Sequence, residues 1–150
     1  MSYTSAKSRP SYQFDSLLEF KDAGLIASSG PAEVDSAEKI VDVGRGAFDG
    51  DMVIDVSAIE IGTGDEGYHI QVQGSDSATF APGVERLASL TLGAPAVTGG
   101  DVESSPGRRV LPFNNRGLDG KVYRYLRIYV DVEGTVATGI NFTAFASQRS

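Results

Sequence analysis

Residues 62–67, Gly-Thr-Gly-Asp-Glu-Gly, have the glycine spacing of a dinucleotide-binding fingerprint. In that fingerprint a helix follows the glycines, and its N-terminus binds the phosphates. Here residues 68–73 alternate apolar and polar side chains, which predicts a strand instead of a helix. Asp65 and Glu66 would also repel a phosphate. The segment therefore predicts a hairpin loop between two strands.

Few side chains are suited to catalysis or metal binding. The chain has one histidine, His69, and no cysteine, which excludes thiolate metal sites, disulfides and a cysteine nucleophile. No Gly-x-Ser-x-Gly sequence accompanies His69, so we interpret it as a surface strand residue. Acids without EF-hand spacing are interpreted as solvated turn residues: Asp49, Asp51, Asp65, Glu66, Asp101 and Glu103. We expect no catalytic residue, no metal and no cofactor.

The charge of the chain constrains its partners. The 150 residues carry a net charge of −7, which opposes non-specific binding to nucleic acid or to an anionic membrane. The N-terminal residues lack the apolar core of a secretory signal, and no apolar run reaches membrane-spanning length. We therefore expect synthesis in a cytoplasm and no direct partner among nucleic acids or membranes. We also expect no small-molecule substrate, since no catalytic residue is predicted.

Short alternating runs separated by Gly, Pro, Asp and Ser clusters predict the elements that must position these residues. This pattern is typical of an antiparallel β-sandwich or barrel. About eight strands are predicted, at 17–20, 37–43, 51–61, 68–74, 87–92, 108–113, 122–132 and 136–146. Residues 1–16 are polar, contain Pro10 and predict an extended N-terminal arm, so residues 17–150 form a single all-β domain.

Three strands predict further detail. In 122–132 the even positions are aliphatic and predict a core face, and the even positions of 136–146 continue it. Residues 133–135 predict a short hairpin loop that joins these strands and places Tyr129 opposite Gly139. In 51–61 the apolar phase slips by one residue, which predicts a β-bulge near Ser57 or Ala58.

The outward face of segment 122–132 combines tyrosine with arginine. These side chains are enriched at protein interfaces, and a strand face rich in aromatic residues is costly to leave in water. We predict a subunit interface at Tyr123, Tyr125, Arg127 and Tyr129.

The order of three segments resembles the capsid cement (decoration) proteins of tailed bacteriophages, of the jelly-roll type known from a Bordetella phage. The segments are Leu17-Leu-Glu-Phe-Lys-Asp-Ala-Gly, Ile70-Gln-Val-Gln-Gly-Ser-Asp-Ser-Ala-Thr-Phe and Tyr123-Arg-Tyr-Leu-Arg-Ile-Tyr-Val-Asp-Val-Glu-Gly-Thr, followed by Phe142-Thr-Ala-Phe-Ala. The resemblance implies a jelly-roll-like sandwich that stabilises an icosahedral capsid from its outer surface. It also implies homotrimers bound to the phage major capsid protein, with no catalysis.

On this interpretation the arm and the second basic region contact the shell. The predicted capsid contacts are Tyr3, Lys7, Arg9, Tyr12, Phe14, Arg108, Arg109, Asn114, Asn115 and Arg116.

Two other functions stay open from the sequence. The first is a carbohydrate-binding or receptor-binding β-sandwich of a phage particle, although the chain has no tryptophan to stack on a sugar. The second is a hydrolase that uses loop carboxylates such as Asp49, Asp51 or Asp65.

Overall fold

A computed structural model describes residues 12, 14–81, 83–99 and 104–149. These residues form a 3-10 turn (Ser16–Leu18), twelve β-strands and one helical turn, α1 (Pro95–Thr98). The strands are β1 (Glu19–Lys21), β2 (Leu25–Ile26), β3 (Gly30–Pro31), β4 (Glu33–Val34), β5 (Ala37–Glu38), β6 (Val41–Asp42), β7 (Asp49–Ile59), β8 (Gly67–Ser75), β9 (Glu85–Gly93), β10 (Gly107–Asn114), β11 (Tyr125–Glu133) and β12 (Ile140–Gln148). Most of the predicted N-terminal arm lies outside the described residues.

The predicted all-β antiparallel sandwich is confirmed. Sheet A has the order β1-β12-β7-β10, with β2 also paired to β12. Sheet B has the order β3-β11-β8-β9, with β6 also paired to β11. β1 pairs with β12, β3 pairs with β11, and β7 pairs with β10. β8 and β9 form the innermost hairpin. This nested pairing across two sheets is the strand order of a jelly roll.

The described part of the chain has twelve strands, where the sequence predicted about eight. The additional strands are short: β1 and β2 both pair with β12, and β3 and β6 both pair with β11. The segment predicted as one strand at 37–43 is divided between two partners. Its first part, β5, pairs with β4 in a hairpin, and its second part, β6, pairs with β11. Asp35 and Ser36 have positive φ angles of 55° and 65° and form the two-residue turn of that hairpin.

The core lies between the two sheets and follows the predicted alternation. Leu126, Ile128 and Val130 of β11 are fully buried, and they face Ile140 and Phe142 of β12 across the sandwich. Each strand thus contributes every second residue to the core and presents the others outward. The face assignments made from the sequence are correct for both strands.

The predicted hairpin between β11 and β12 is wrong. These strands belong to different sheets, so residues 134–139 cross from one sheet to the other. Tyr129 lies beside Gln71 and Pro31 instead of Gly139. Periodicity determines which face of a strand is buried but not which strand pairs with it.

The predicted β-bulge is confirmed. Val56 lies opposite Phe142, and Ala58 lies opposite Asn141, which leaves Ser57 as the extra residue. The bulge allows Ile54 and Val56 to face the core although the apolar phase changes after them.

Candidate functional site

The outer face of sheet B carries the tyrosine and arginine side chains predicted at an interface. Tyr125, Arg127 and Tyr129 alternate on β11 with the buried core residues, and all three are half-buried. Gln73 lies opposite Arg127 and Gln71 opposite Tyr129 on the neighbouring strand β8. The structure therefore brings three of the four predicted interface residues together on one surface.

Arg127 contacts four other side chains at this surface. Its Nε donates to Gln73 Oε1 at 2.9 Å, and its Nη1 donates to Glu38 Oε2 at 2.8 Å. The guanidinium carbon lies 4.5 Å from the ring centre of Phe80 and 5.5 Å from that of Tyr129. Only 14% of the Arg127 side chain is exposed. Arg127 therefore positions the rings around it and offers a partner little of its own charge.

Tyr125 is supported by a second arginine, which the sequence analysis did not select. The Arg124 guanidinium lies 5.3 Å from the Tyr125 ring centre and donates to both carboxylate oxygens of Asp42, at 2.9 and 2.8 Å. The hydrogen bond with Arg124 and the one from Gly44 N–H lower the pKa of Asp42 to about 2. The pair is therefore ionised at neutral pH and holds a cation beside the ring.

Tyr123 does not belong to this outward face, which corrects the sequence prediction. It precedes β11, and its ring is packed against the core and the backbone at Gly74. Its hydroxyl donates to Glu85 Oε1 at 2.7 Å, and this bond raises the pKa of Tyr123 to about 12. Tyr123 therefore joins the loop before β11 to β9 and is not available as a contact.

The predicted basic shell contact does not form one patch. Arg108 and Arg116 lie near opposite ends of the eight-residue strand β10, about 25 Å apart. Arg108 donates to both carboxylate oxygens of Asp55, at 2.7 and 3.0 Å, on the outer face of sheet A. Arg109 donates instead to the Ser105 carbonyl at 2.8 Å. Two neighbours in the sequence thus point in different directions, as strand geometry requires.

Asn115 is fully buried, so we remove it from the predicted shell contacts. Its Oδ1 accepts the Phe48 N–H at 2.8 Å. Its Nδ2 donates to the carbonyls of Gly46 and Tyr123, at 3.0 and 2.8 Å. One amide therefore holds three segments together at this end of the sandwich. Its exposed neighbour Asn114 accepts the Arg116 N–H at 2.9 Å and forms a local turn.

Of the predicted contacts in the arm, Tyr3, Lys7 and Arg9 lie outside the described residues. Tyr12 is half-buried, and Phe14 contacts the chain's own Phe145 with ring centres 5.6 Å apart. Phe14, one of the two predicted arm contacts that the structure describes, therefore packs against its own domain.

The glycine-rich segment 62–67 is a loop, as predicted, but it connects the two sheets and is not a hairpin. Thr63 N–H and Gly64 N–H donate to the Glu66 carboxylate at 2.9 and 2.8 Å, where a nucleotide loop would bind a phosphate. Glu66 is fully buried, which corrects its interpretation as a solvated turn residue. Burial favours a higher pKa for Glu66, but the backbone N–H groups of residues 63, 66 and 64 outweigh it and lower the pKa.

Two further acids hold the crossing loop 134–139. Glu60 accepts the N–H groups of residues 137, 138 and 139, at 2.6 to 2.9 Å for its Oε1. Asp65 accepts the N–H and hydroxyl of Thr135, at 3.0 and 3.1 Å. These carboxylates are therefore structural caps of loop backbone.

The acids proposed for a hydrolase do not converge. Asp49 and Asp51 lie at the start of β7, and Asp65 lies beyond its end, about 35 Å along the strand. His69 lies on β8 as predicted, with its Nδ1 3.0 Å from Thr91 Oγ1. Among the residues that the structure describes, no group of three or more His, Asp or Glu side chains is arranged to hold a metal ion.

Comparison with known proteins adds no family to this description. No protein-family model matches the chain, and the search of curated proteins finds no match.

Proposed function

We propose that this protein decorates and stabilises an icosahedral phage capsid by binding the major capsid protein on the outer surface of the virion. In this proposal it assembles as a homotrimer after synthesis in the host cytoplasm. The support comes from two sources: the segment order resembles the cement proteins, and the jelly-roll strand order agrees with the fold that this resemblance implies.

The observation that carries the subunit contact is the pair of tyrosines on the outer face of sheet B. Tyr125 and Tyr129 are half-buried, and each ring lies beside a guanidinium that is itself fixed by a carboxylate. Rings held in place lose little side-chain entropy on association, which favours binding. Tyrosine also combines a large apolar area with a hydrogen-bonding hydroxyl. This surface, which we call the tyrosine face, is therefore suited to a repeated contact between copies.

Shell binding in this proposal uses the exposed arginines at separate places. Arg108 serves the outer face of sheet A, and Arg116 with Asn114 serves the loops at the other end of β10. Many modest contacts of this kind are multiplied by the symmetry of a capsid.

The mass in solution tests the subunit contact. We expect wild-type protein to reach about three times the chain mass of 15.8 kDa in light scattering at high concentration. Tyr125→Ala/Tyr129→Ala removes the tyrosine face and should reduce the mass to that of one chain. Leu25→Ala/Leu118→Ala is the matched control, because both leucines are exposed apolar residues elsewhere. Thermal melting verifies that each variant is folded.

A wild-type monomer at every concentration would contradict the trimeric part of the proposal. An unchanged trimer in the tyrosine variant would instead remove the tyrosine face from it.

The same tyrosines favour one alternative function, carbohydrate binding, because exposed aromatic rings stack on sugars. A glycan array separates the two functions. Selective binding of one glycan that is lost in Tyr125→Ala/Tyr129→Ala would replace the capsid proposal with a carbohydrate-binding or receptor-binding role.

A further inference from the structure

The outer face of sheet A contains a row of apolar residues across three strands. Phe145 of β12 lies opposite Val53 of β7, and Val53 lies opposite Val110 of β10. The three side chains point away from the core, because the core face of each strand is formed by the alternate residues. We call them the sheet A row.

The rows on either side are more polar. One consists of Thr143, Asp55 and Arg108, and the other of Ser147, Asp51 and Pro112. The sheet A row is therefore a single line of apolar side chains about 10 Å long, the distance across three strands. The row is one side chain wide along each strand, which suits an extended segment laid across the strands. A helix with its side chains is wider, at about 10 Å.

Two residues of the sheet A row are covered although they lie on an outer face. Val53 is fully buried and Phe145 is only 8% exposed, whereas Val110 at the end of the row is 40% exposed. The two bulky side chains are thus removed from water without belonging to the core between the sheets. A face that met only solvent would leave them accessible.

The described residues of the arm lie beside this row. The Phe14 ring meets the Phe145 ring edge-on, with an interplanar angle of 75°. The hydrogen bond with Asp55 raises the pKa of Arg108, and the nearby Tyr12 contributes to this shift. Phe14 thus lies against β12, and Tyr12 lies near Arg108 of β10.

The turn after the arm explains this direction. The Asp15 carboxylate accepts the Leu17 N–H at 2.9 Å and begins the 3-10 turn, which leads directly into β1 beside β12. The residues that precede the turn therefore lie next to Phe145, at one end of the sheet A row.

We propose that the sheet A row is a docking site for the chain's own N-terminal segment, held by Tyr12 and Phe14. The contact is made within one molecule. Phe14 keeps 59% of its surface exposed, so its ring covers Phe145 from one edge only, and Tyr12 is half-buried. Loss of the segment uncovers Val53 and Phe145 and creates an adhesive apolar surface.

Fluorescence can test this docking directly, because the protein contains no tryptophan and Phe14→Trp introduces a single reporter. We expect its emission to lie to the blue of Leu17→Trp, since Leu17 is 78% exposed and serves as the matched control. Phe145→Ser in the Phe14→Trp background should shift the emission to the red. The shift should be the same at every protein concentration. Identical emission from the two reporters overturns the proposal, and a concentration-dependent shift overturns it in favour of docking onto a second copy.

A second measurement does not alter the row itself and so avoids loss of folding. Tyr12→Ser/Phe14→Ser in the full-length chain should increase the fluorescence of a hydrophobic dye several-fold, because Val53 and Phe145 become accessible. Leu17→Ser should leave it unchanged. Equal dye binding by the two variants, with unchanged melting temperatures, overturns the proposal.

Discussion

Lys21 shows at the scale of one residue how a charge is accommodated in this fold. It is 3% exposed, and its ammonium donates to the carbonyls of Asp22, Gly24 and Phe142 at 2.8 to 2.9 Å. Burial lowers the pKa of Lys21 to about 8, and the nearby carboxylates of Asp22 and Glu33 only partly oppose this effect. The residue therefore joins β1 and the chain after it to β12.

This lowered pKa predicts a specific dependence of stability on pH. Between about pH 8 and pH 10.5 the unfolded chain holds the Lys21 proton more tightly than the folded chain, so stability rises with pH. Relative to Lys21→Met, the free energy of unfolding of the wild type should increase by roughly 1–3 kcal/mol from pH 8 to 10. Urea unfolding at several pH values measures this difference. Parallel profiles for the two proteins would contradict it.

Replacing Asn115, which the sequence predicted as a binding contact, should instead reduce the stability of the fold. Asn115→Ala removes the partner of the buried Phe48 N–H and of the partly buried carbonyls of Gly46 and Tyr123. The free energy of unfolding should fall by about 2–4 kcal/mol. Asn114→Ala is the control, because Asn114 is exposed and should cost less than about 1 kcal/mol. Urea unfolding of both variants decides the matter, and equal losses would count against this role.

At the scale of the elements, the loops that cross between the two sheets are held by contacts with distant parts of the chain. The loop 134–139 crosses between sheets and is held by Glu60 and Asp65, both of which are distant from it in the sequence. Gly139 ends this loop with a φ of +88°, and a Cβ there would lie 1.8 Å from the Ile26 carbonyl oxygen. The crossing therefore depends on the absence of a side chain at this position.

Alanine at Gly139 should be far more costly than alanine at another glycine of similar backbone conformation. Gly44 has a φ of +86°, and a Cβ added there would meet no atom within 4 Å, so Gly44→Ala reports backbone strain alone, about 1 kcal/mol. Gly139→Ala adds the clash with Ile26 and should cost about 3 kcal/mol or more. Chemical denaturation of the pair measures the difference. Equal losses would show that the close approach is relieved at no cost.

For the whole molecule, the jelly roll separates the two surfaces for which we propose different contacts. The tyrosine face lies on the outside of sheet B, and the sheet A row lies on the outside of sheet A. The core between the sheets keeps them apart, so the proposed contact between copies and the proposed docking of the N-terminal segment do not compete for one surface. A protein that links neighbours on a regular shell benefits from separate surfaces of this kind.

The sequence by itself determined the features that depend on neighbouring residues. Alternation along β11 and β12 predicted which side chains face the core, and the phase slip predicted the bulge at Ser57. The outward positions of Tyr125 and Tyr129 followed from the same rule, since side chains of a strand alternate between two faces, whereas Tyr123 precedes the strand and departs from it. All of these features can be recognised within about ten consecutive residues.

Only the tertiary structure decided which strands pair and which polar groups are buried. Arg127 bonds Glu38 across 89 positions, and Lys21 bonds the Phe142 carbonyl across 121. Such partners are brought together by the packing of the two sheets, because local periodicity carries no information about strand order. For this reason Asn115 and Glu66 were expected at the surface and are instead buried, where backbone groups from loops satisfy them.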